Sequence, residues 1–159
     1  MRAVVQRVAQ AHVTVDDQMV GQIGQGLMVL LGIARSDTAV QVKWLAQKIT
    51  GLRIFSDSSG QLRWDLKAVD GSLLVVSQFT LYGDVRRGFR PDFGRAAPRE
   101  MAEDLYEQFL GECRELGCRV ETGQFGSHMQ VSLVNIGPVT IHIDTDEVMT
   151  GGVRGVSKA

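Results

Sequence analysis

At 159 residues, with 44% hydrophobic and 22% charged residues and three prolines, the chain has the size and composition of one soluble globular domain. A chain of this length buries about two-thirds of its unfolded surface. Its net charge of −1 excludes a protein that coats nucleic acid by bulk charge and leaves room only for a local basic patch.

The opening run "RAVVQRVAQAHVTV" alternates like a strand and lacks the apolar core and cleavage site of a signal peptide. "DDQMVGQIGQG" carries a turn, and "GLMVLLGIA" is a second strand. The glycines of "GQIGQG" open a strand, in the wrong order for a dinucleotide fingerprint, so they read as turn residues. A helix follows, with Ser36 or Asp37 as its cap and Val40, Trp44, Leu45, Ile49 and Leu52 on one apolar face; Gly51 lies near its end. "LRIF" reads as a strand and "DSSG" as a tight turn. Asp70-Gly71 then announces "SLLVVSQFTL", whose unbroken apolar start predicts a strand buried on both faces.

Residues 83–97, "GDVRRGFRPDFGRAA", have no period and read as a loop. With Arg99 the loop carries Arg86, Arg87, Arg90 and Arg95 against Asp84 and Asp92, and Phe89 and Phe93 are interleaved. Arginine with aromatics suits phosphate contact and base stacking, but a solvated charged loop is an equally good reading of these residues alone. Pro98 fits the first turn of a second helix, whose apolar face is Met101, Leu105, Phe109, Cys113 and Leu116 and whose end is Gly117.

Cys113 and Cys118 are the only cysteines, and two do not make a four-ligand zinc site; reduced thiols and no metal are expected. His12, His128 and His142 sit in strand-like segments without an acidic partner at a motif spacing, so they read as strand residues rather than catalytic bases. "CRVETG" and "HMQVSLV" predict closing strands. "NIGPVT" is then a turn leading to "VTIHI", because proline removes a backbone donor and fixes φ. The tail 145–159 is small and polar and predicts a flexible extension beyond a domain of residues 1–144.

The pattern predicts a single α/β domain with a mostly antiparallel, barrel-like sheet and two main helices. No stretch approaches the ~20 apolar residues of a membrane span, so a cytoplasmic protein without a membrane partner is expected. One segment carries chemistry. A buried strand that ends in "SQFT", Ser77 to Thr80, gathers polar side chains and soon-to-be-free backbone N–H groups, which suits a developing oxyanion. A strand whose end happens to be polar explains the same residues.

"SQFTL" at Ser77–Leu81 together with "NIGPVT" at Asn135–Thr140 resembles the D-aminoacyl-tRNA deacylase family. "VQRV", "GLMVLLG", "RIFSD", "RRGFRPDF" and "GQFGSHMQVSLVN" carry the resemblance from Met1 to about Ile143. Ile136 and the tail after Asp144 depart from the family pattern, and neither touches the two motifs. The resemblance implies hydrolysis of the ester joining a D-amino acid to the 3′ end of tRNA, by a homodimer without metal or cofactor. It implies that Ser77, Gln78, Phe79 and Thr80 line the ester site, with catalysis assisted by the vicinal ribose hydroxyl. Gly137 and Pro138, joined by a cis bond, would reach into the partner subunit's site and reject L-amino acids, supported by Arg7. Phe125 and Met129 match pocket-lining positions. With tRNA as partner, Arg86, Arg87 and Arg90 become candidates for contact with its 3′ end and acceptor stem; no DNA partner is expected. A threonine- or histidine-based peptidase or esterase would need a triad, and a nucleophilic Thr80 would need a base that the sequence does not supply. The non-catalytic alternative is a tRNA-binding module that uses the arginine loop.

Overall fold

Strand β1, Arg2–Val15, is the hub of the fold, pairing antiparallel with three other strands. In the computed structural model, which describes residues 1–149, one of its edges pairs first with β3 (Gly26–Gly32) and then with β2 (Gln18–Ile23). Its other edge pairs along nearly its whole length with β8 (Gln130–Asp144). The sheet then continues in parallel, from β3 to β6 (Ser72–Ser77) and on to β7 (Arg119–Thr122).

Parallel neighbours need crossovers. Helix α1 (Ala39–Thr50), with the hairpin of β4 (Phe55–Ser56) and β5 (Leu62–Trp64), joins β3 to β6, and α2 (Arg99–Glu115) lies between β6 and β7. The result is a single α/β domain with a barrel-like, mostly antiparallel sheet, as the sequence predicts, in which β3–β6 and β6–β7 are the parallel pairs. Leu73 and Val75 of β6 face the helices, against Leu45, Ile49 and Phe109, while Leu74 and Val76 face Val8, Val13 and Met28 inside the curl. Both faces of β6 are buried, which explains its unbroken apolar run. β2 curls until it nearly meets β7: a Cβ on Gly21 would lie 2.1 Å from the Thr122 carbonyl oxygen.

Several local expectations are corrected. The α1 cap is Thr38, whose hydroxyl and Gln41 form a capping box, and not Ser36 or Asp37. Asp37 is buried instead, accepting from the Met1 amine at 2.6 Å and the Ala34 N–H at 2.6 Å. Val40 is exposed, and Val42 and Ala46 take its place in the core. Strand β2 lies in a segment read from the sequence as a turn, and β5 in one to which the sequence reading assigns no element. α2 ends as its glycine requires: Gly117 has φ +83, its N–H bonds Arg114, and the Cys118 N–H bonds the Cys113 carbonyl.

The Gly-Pro turn is no turn. Residues 130–144 form one strand, and Gly137-Pro138, with a cis bond, sits in a bulge within it. The domain also runs past Asp144: Thr145–Met149 form a short helix, α3, and Thr145 is buried, its hydroxyl accepting from the Met1 amine and its N–H bonding the Met1 carbonyl. The remainder of the predicted flexible tail, 150–159, lies outside the described residues. No described helix is long and apolar enough to cross a membrane.

Candidate active site

The site begins where β6 stops. The Gln78 N–H continues the ladder, bonding the Leu31 carbonyl at 2.8 Å, and the chain then leaves the sheet in a 3-10 turn over Phe79–Tyr82. Gly32 makes room for that turn, since a Cβ there would lie 3.0 Å from the Gln78 oxygen and 3.1 Å from Leu81 Cβ. The first two donors of the turn are left over. Of the N–H groups in the Ser77–Thr80 stretch that the strand-end reading singles out, Gln78 is taken by the sheet, while Phe79 and Thr80 are left without an acceptor among the described residues.

A cavity of about 440 Å³ opens beside this turn. Ser77, Gln78 and Phe79 line it, as do Phe125 and Met129 from the segment before β8. Thr80 is exposed and is not among the lining residues; its hydroxyl accepts a hydrogen bond from the Gln78 amide. Phe125 rests on Tyr106 with ring centroids 5.6 Å apart, and the Tyr106 hydroxyl donates to the Val75 carbonyl at 2.8 Å. Burial pushes the Tyr106 phenol well above its usual range, so it stays a neutral donor. Arg99, Ser127 and His128 also line the cavity, and the sequence reading singles out none of them for this site.

The turn is braced from behind. Arg2 donates to the Leu81 carbonyl at 2.8 Å and to Asp144 at 2.7 Å, and its guanidinium lies 4.6 Å from the centre of the Tyr82 ring. Tyr82 is buried, and burial together with Asp37 and Asp144 holds its phenol well above its usual range.

The second motif builds the bulge. Gln6 pairs with Thr140 and Val8 with Asn135, so residues 136–139 face Arg7 alone. Asn135 staples the base: its amide nitrogen donates to Gln6 at 2.7 Å and Thr140 at 3.1 Å, and its oxygen accepts from the Val139 N–H at 3.1 Å. Arg7 donates to the Ile136 carbonyl at 3.1 Å and the Ile54 carbonyl at 2.6 Å. Gly137 has φ +119, and a Cβ on it would lie 2.7 Å from the Arg7 guanidinium, so only glycine fits. Gly137 and Pro138 are exposed and do not line the cavity of their own chain.

The arginine loop is a hairpin closed by reciprocal bonds between Asp84 and Asp92, at 2.8 and 2.9 Å, with Gly88 at its tip. Arg86 is held by Asp84, whose carboxyl it lowers to about 2. Arg87 and Arg90 have no partner among the described residues, and Phe89 between them is fully exposed. The hairpin touches the site through Phe93, which meets Phe79 edge-on at 5.1 Å.

Residues 4–144 match the model of the D-Tyr-tRNA(Tyr) deacylase family. The chain belongs to that family. It is 51% identical to the D-aminoacyl-tRNA deacylase of Thermosipho africanus over 93% of this chain and 99% of that one. It is 56% identical to the D-aminoacyl-tRNA deacylase of Desulfatibacillum aliphaticivorans, over 91% and 99%. A solved structure titled "c-Myc DNA Unwinding Element Binding Protein" superposes with a TM-score of 0.85 at 42% identity, covering 91% of this chain and 98% of that one. Among the described residues, no group of three His, Cys, Asp or Glu side chains is placed to hold a metal ion.

Proposed function

We propose that this protein hydrolyses the ester of D-aminoacyl-tRNAs as a proofreading enzyme of the cytoplasm. The observation that carries the reading is the pair of free N–H groups on Phe79 and Thr80, beside a cavity, in a chain whose relatives are named for that reaction. Water adds to the ester carbon and the carbonyl oxygen becomes an oxyanion, which the two N–H groups stabilise. The bond to the ribose oxygen then breaks, that oxygen takes a proton, and the free D-amino acid and tRNA leave. One such donor is worth about 10²–10³ in rate. Ser77 and Gln78 hold the ester group, while the vicinal ribose hydroxyl of the substrate orients the water, because among the described residues no imidazole or carboxylate is hydrogen-bonded to the Thr80 hydroxyl.

Gly137 and Pro138 are exposed and do not line the cavity of their own chain, which supports a homodimer in which each bulge closes the other subunit's site and excludes L-amino acids. Glycyl-tRNA, with hydrogen in both α positions, is then a substrate too. The 3′ end and acceptor stem of tRNA lie along the hairpin of Arg86, Arg87 and Arg90. An exposed phenylalanine between free arginines suits unpaired nucleotides better than duplex DNA.

The test is release of D-tyrosine from D-tyrosyl-tRNA by a catalytic amount of protein. Turnover supports the enzyme; tight binding with the ester intact leaves the non-catalytic tRNA-binding module.

A further inference from the structure

We infer that Arg99 holds the phosphodiester on the 5′ side of the terminal nucleoside, so that the cavity grips the ribose between that phosphate and the ester. The inference rests on the proposed tRNA reading. Arg99 is the one permanently charged residue that lines the cavity. Among the described residues it has no carboxylate, carbonyl or hydroxyl partner, in contrast to Arg2, Arg7 and Arg86, which are all engaged.

Space has been left for it. The Arg99 guanidinium lies over Gly126, where a Cβ would come within 2.8 Å of it, and Gly126 has φ +73, a conformation that favours glycine. Glycine there lets the guanidinium lie against the backbone at the cavity. An unpaired planar cation on a largely apolar cavity is suited to an anion with two coplanar acceptors, and a phosphodiester supplies them. On an aminoacylated nucleotide the ester and the 5′ phosphate belong to one ribose. With the ester at Phe79, the phosphate is the anion that reaches another lining residue of the same cavity. The amino acid itself offers none, because its carboxyl is esterified; after hydrolysis the freed carboxylate is the rival anion.

The experiment uses stable amide analogues of D-tyrosyl-adenosine, one with a 5′-phosphate methyl ester and one with a 5′-hydroxyl. The wild-type protein should bind the phosphate form at least tenfold more tightly. Arg99→Gln should abolish that ratio and leave affinity for the hydroxyl form within twofold, while Arg99→Lys keeps part of it. Equal affinities in the wild type, or a ratio that survives Arg99→Gln, overturn the inference. So does a ratio unchanged in a variant that has instead lost inhibition by free D-tyrosine, since the anion is then the product carboxylate. Turnover of D-tyrosyl-tRNA by the wild type is measured separately, so failure of the functional reading is distinguished from failure of this one.

Discussion

The side-chain amide of Gln78 donates a hydrogen bond to the hydroxyl oxygen of Thr80. An amide is no general base, and neither imidazole nor carboxylate is hydrogen-bonded to that hydroxyl among the described residues. The arrangement fixes the threonine without activating it. Thr80→Ala should therefore keep hydrolysis, with a loss of at most about tenfold, equivalent to ~1.4 kcal/mol. A substrate lacking the free vicinal ribose hydroxyl should lose far more. Single-turnover rates decide this; a dead Thr80→Ala together with an acyl-threonine adduct found by mass spectrometry reverses the assignment.

Gly137 and Arg7 give a test of shared sites. Gly137→Ala puts an L side chain at φ +119 with its Cβ 2.7 Å from the Arg7 guanidinium, so the bulge or its Arg7 brace must shift. Phe79→Pro removes an oxyanion donor at a position that tolerates proline, and should cost about 10²–10³ in rate. Each variant alone should be nearly inactive. Mixed and allowed to exchange, they should recover about one-quarter of wild-type activity, because half of the dimers are then mixed and each has one intact site. No recovery in verified heterodimers means that each site belongs to one chain.

The loop arginines should not be equivalent. Among the described residues Arg87 and Arg90 have no partner, whereas Arg86 is tied to Asp84. Replacing Arg87 or Arg90 with alanine should weaken binding to all tRNAs alike and reduce the salt slope by about one counterion each; Arg86→Ala should do less. Asp84→Asn frees Arg86 and should steepen the slope. The sign with pH follows from a carboxyl held down to about 2: the contribution of the pair is present above the usual carboxylate pKa and is lost only as pH falls through about 2. Between pH 5 and 8, titration of this pair should therefore add no step to tRNA affinity. Equal effects from all three arginines refute the distinction.

Local signals made some of this legible. The apolar run of β6 predicts a doubly buried strand because periodicity reports burial directly, and the glycine after α2 predicts its end because only the left-handed conformation fits there. What the sequence hides is long-range. Residues 130–144 read as two strands because Gly-Pro ordinarily ends pairing; that both halves pair with β1 around Arg7 depends on contacts 129 positions apart, such as Asn135 with Gln6. The roles of Asn135 and Thr140 in "NIGPVT" follow only from that bulge. Asp37 looks like a helix cap because it stands beside one, and its actual partner is the Met1 amine. Arg99 is one arginine among five in the loop sequence, and only the cavity separates it from the rest.

That buried pair of Asp37 and Met1 makes a stability prediction. The amine and the carboxyl group are 2.6 Å apart and almost wholly buried, and Thr145 completes the cluster. Asp37→Asn leaves the amine without its counter-charge and weakens the bond to the Ala34 N–H. Breaking such a pair costs about 3–5 kcal/mol. Denaturant melts should show the midpoint falling with an unchanged slope; a loss below ~1 kcal/mol means that water or rearrangement replaces the carboxylate.

The last expectation concerns handedness. Hold the amino group and ester carbon of the substrate fixed, and the D and L forms differ only in exchanging the side chain with the α-hydrogen. The bulge of Gly137 and Pro138 offers mainly backbone, and it is braced by Asn135 within the strand and by Arg7 across it. Placed over the α-hydrogen by a second subunit, such a backbone leaves a D side chain in open space and drives an L side chain's Cβ into carbonyl oxygens. An unbraced loop would give way; this one has little freedom to do so. A clash of about 3 kcal/mol is enough for a discrimination of about a hundredfold or more. Selection then works by rejecting L rather than by recognising D, so it places no demand on the identity of the D side chain. D-tyrosyl-, D-aspartyl- and glycyl-tRNA should all be hydrolysed, and L-alanyl-tRNA, with the smallest possible intruding group, should resist. Arg7→Ala should loosen the brace and let L-alanyl-tRNA in. Efficient cleavage of L-alanyl-tRNA by the wild type, or refusal of glycyl-tRNA at high enzyme, would show that something other than this bulge sets the choice.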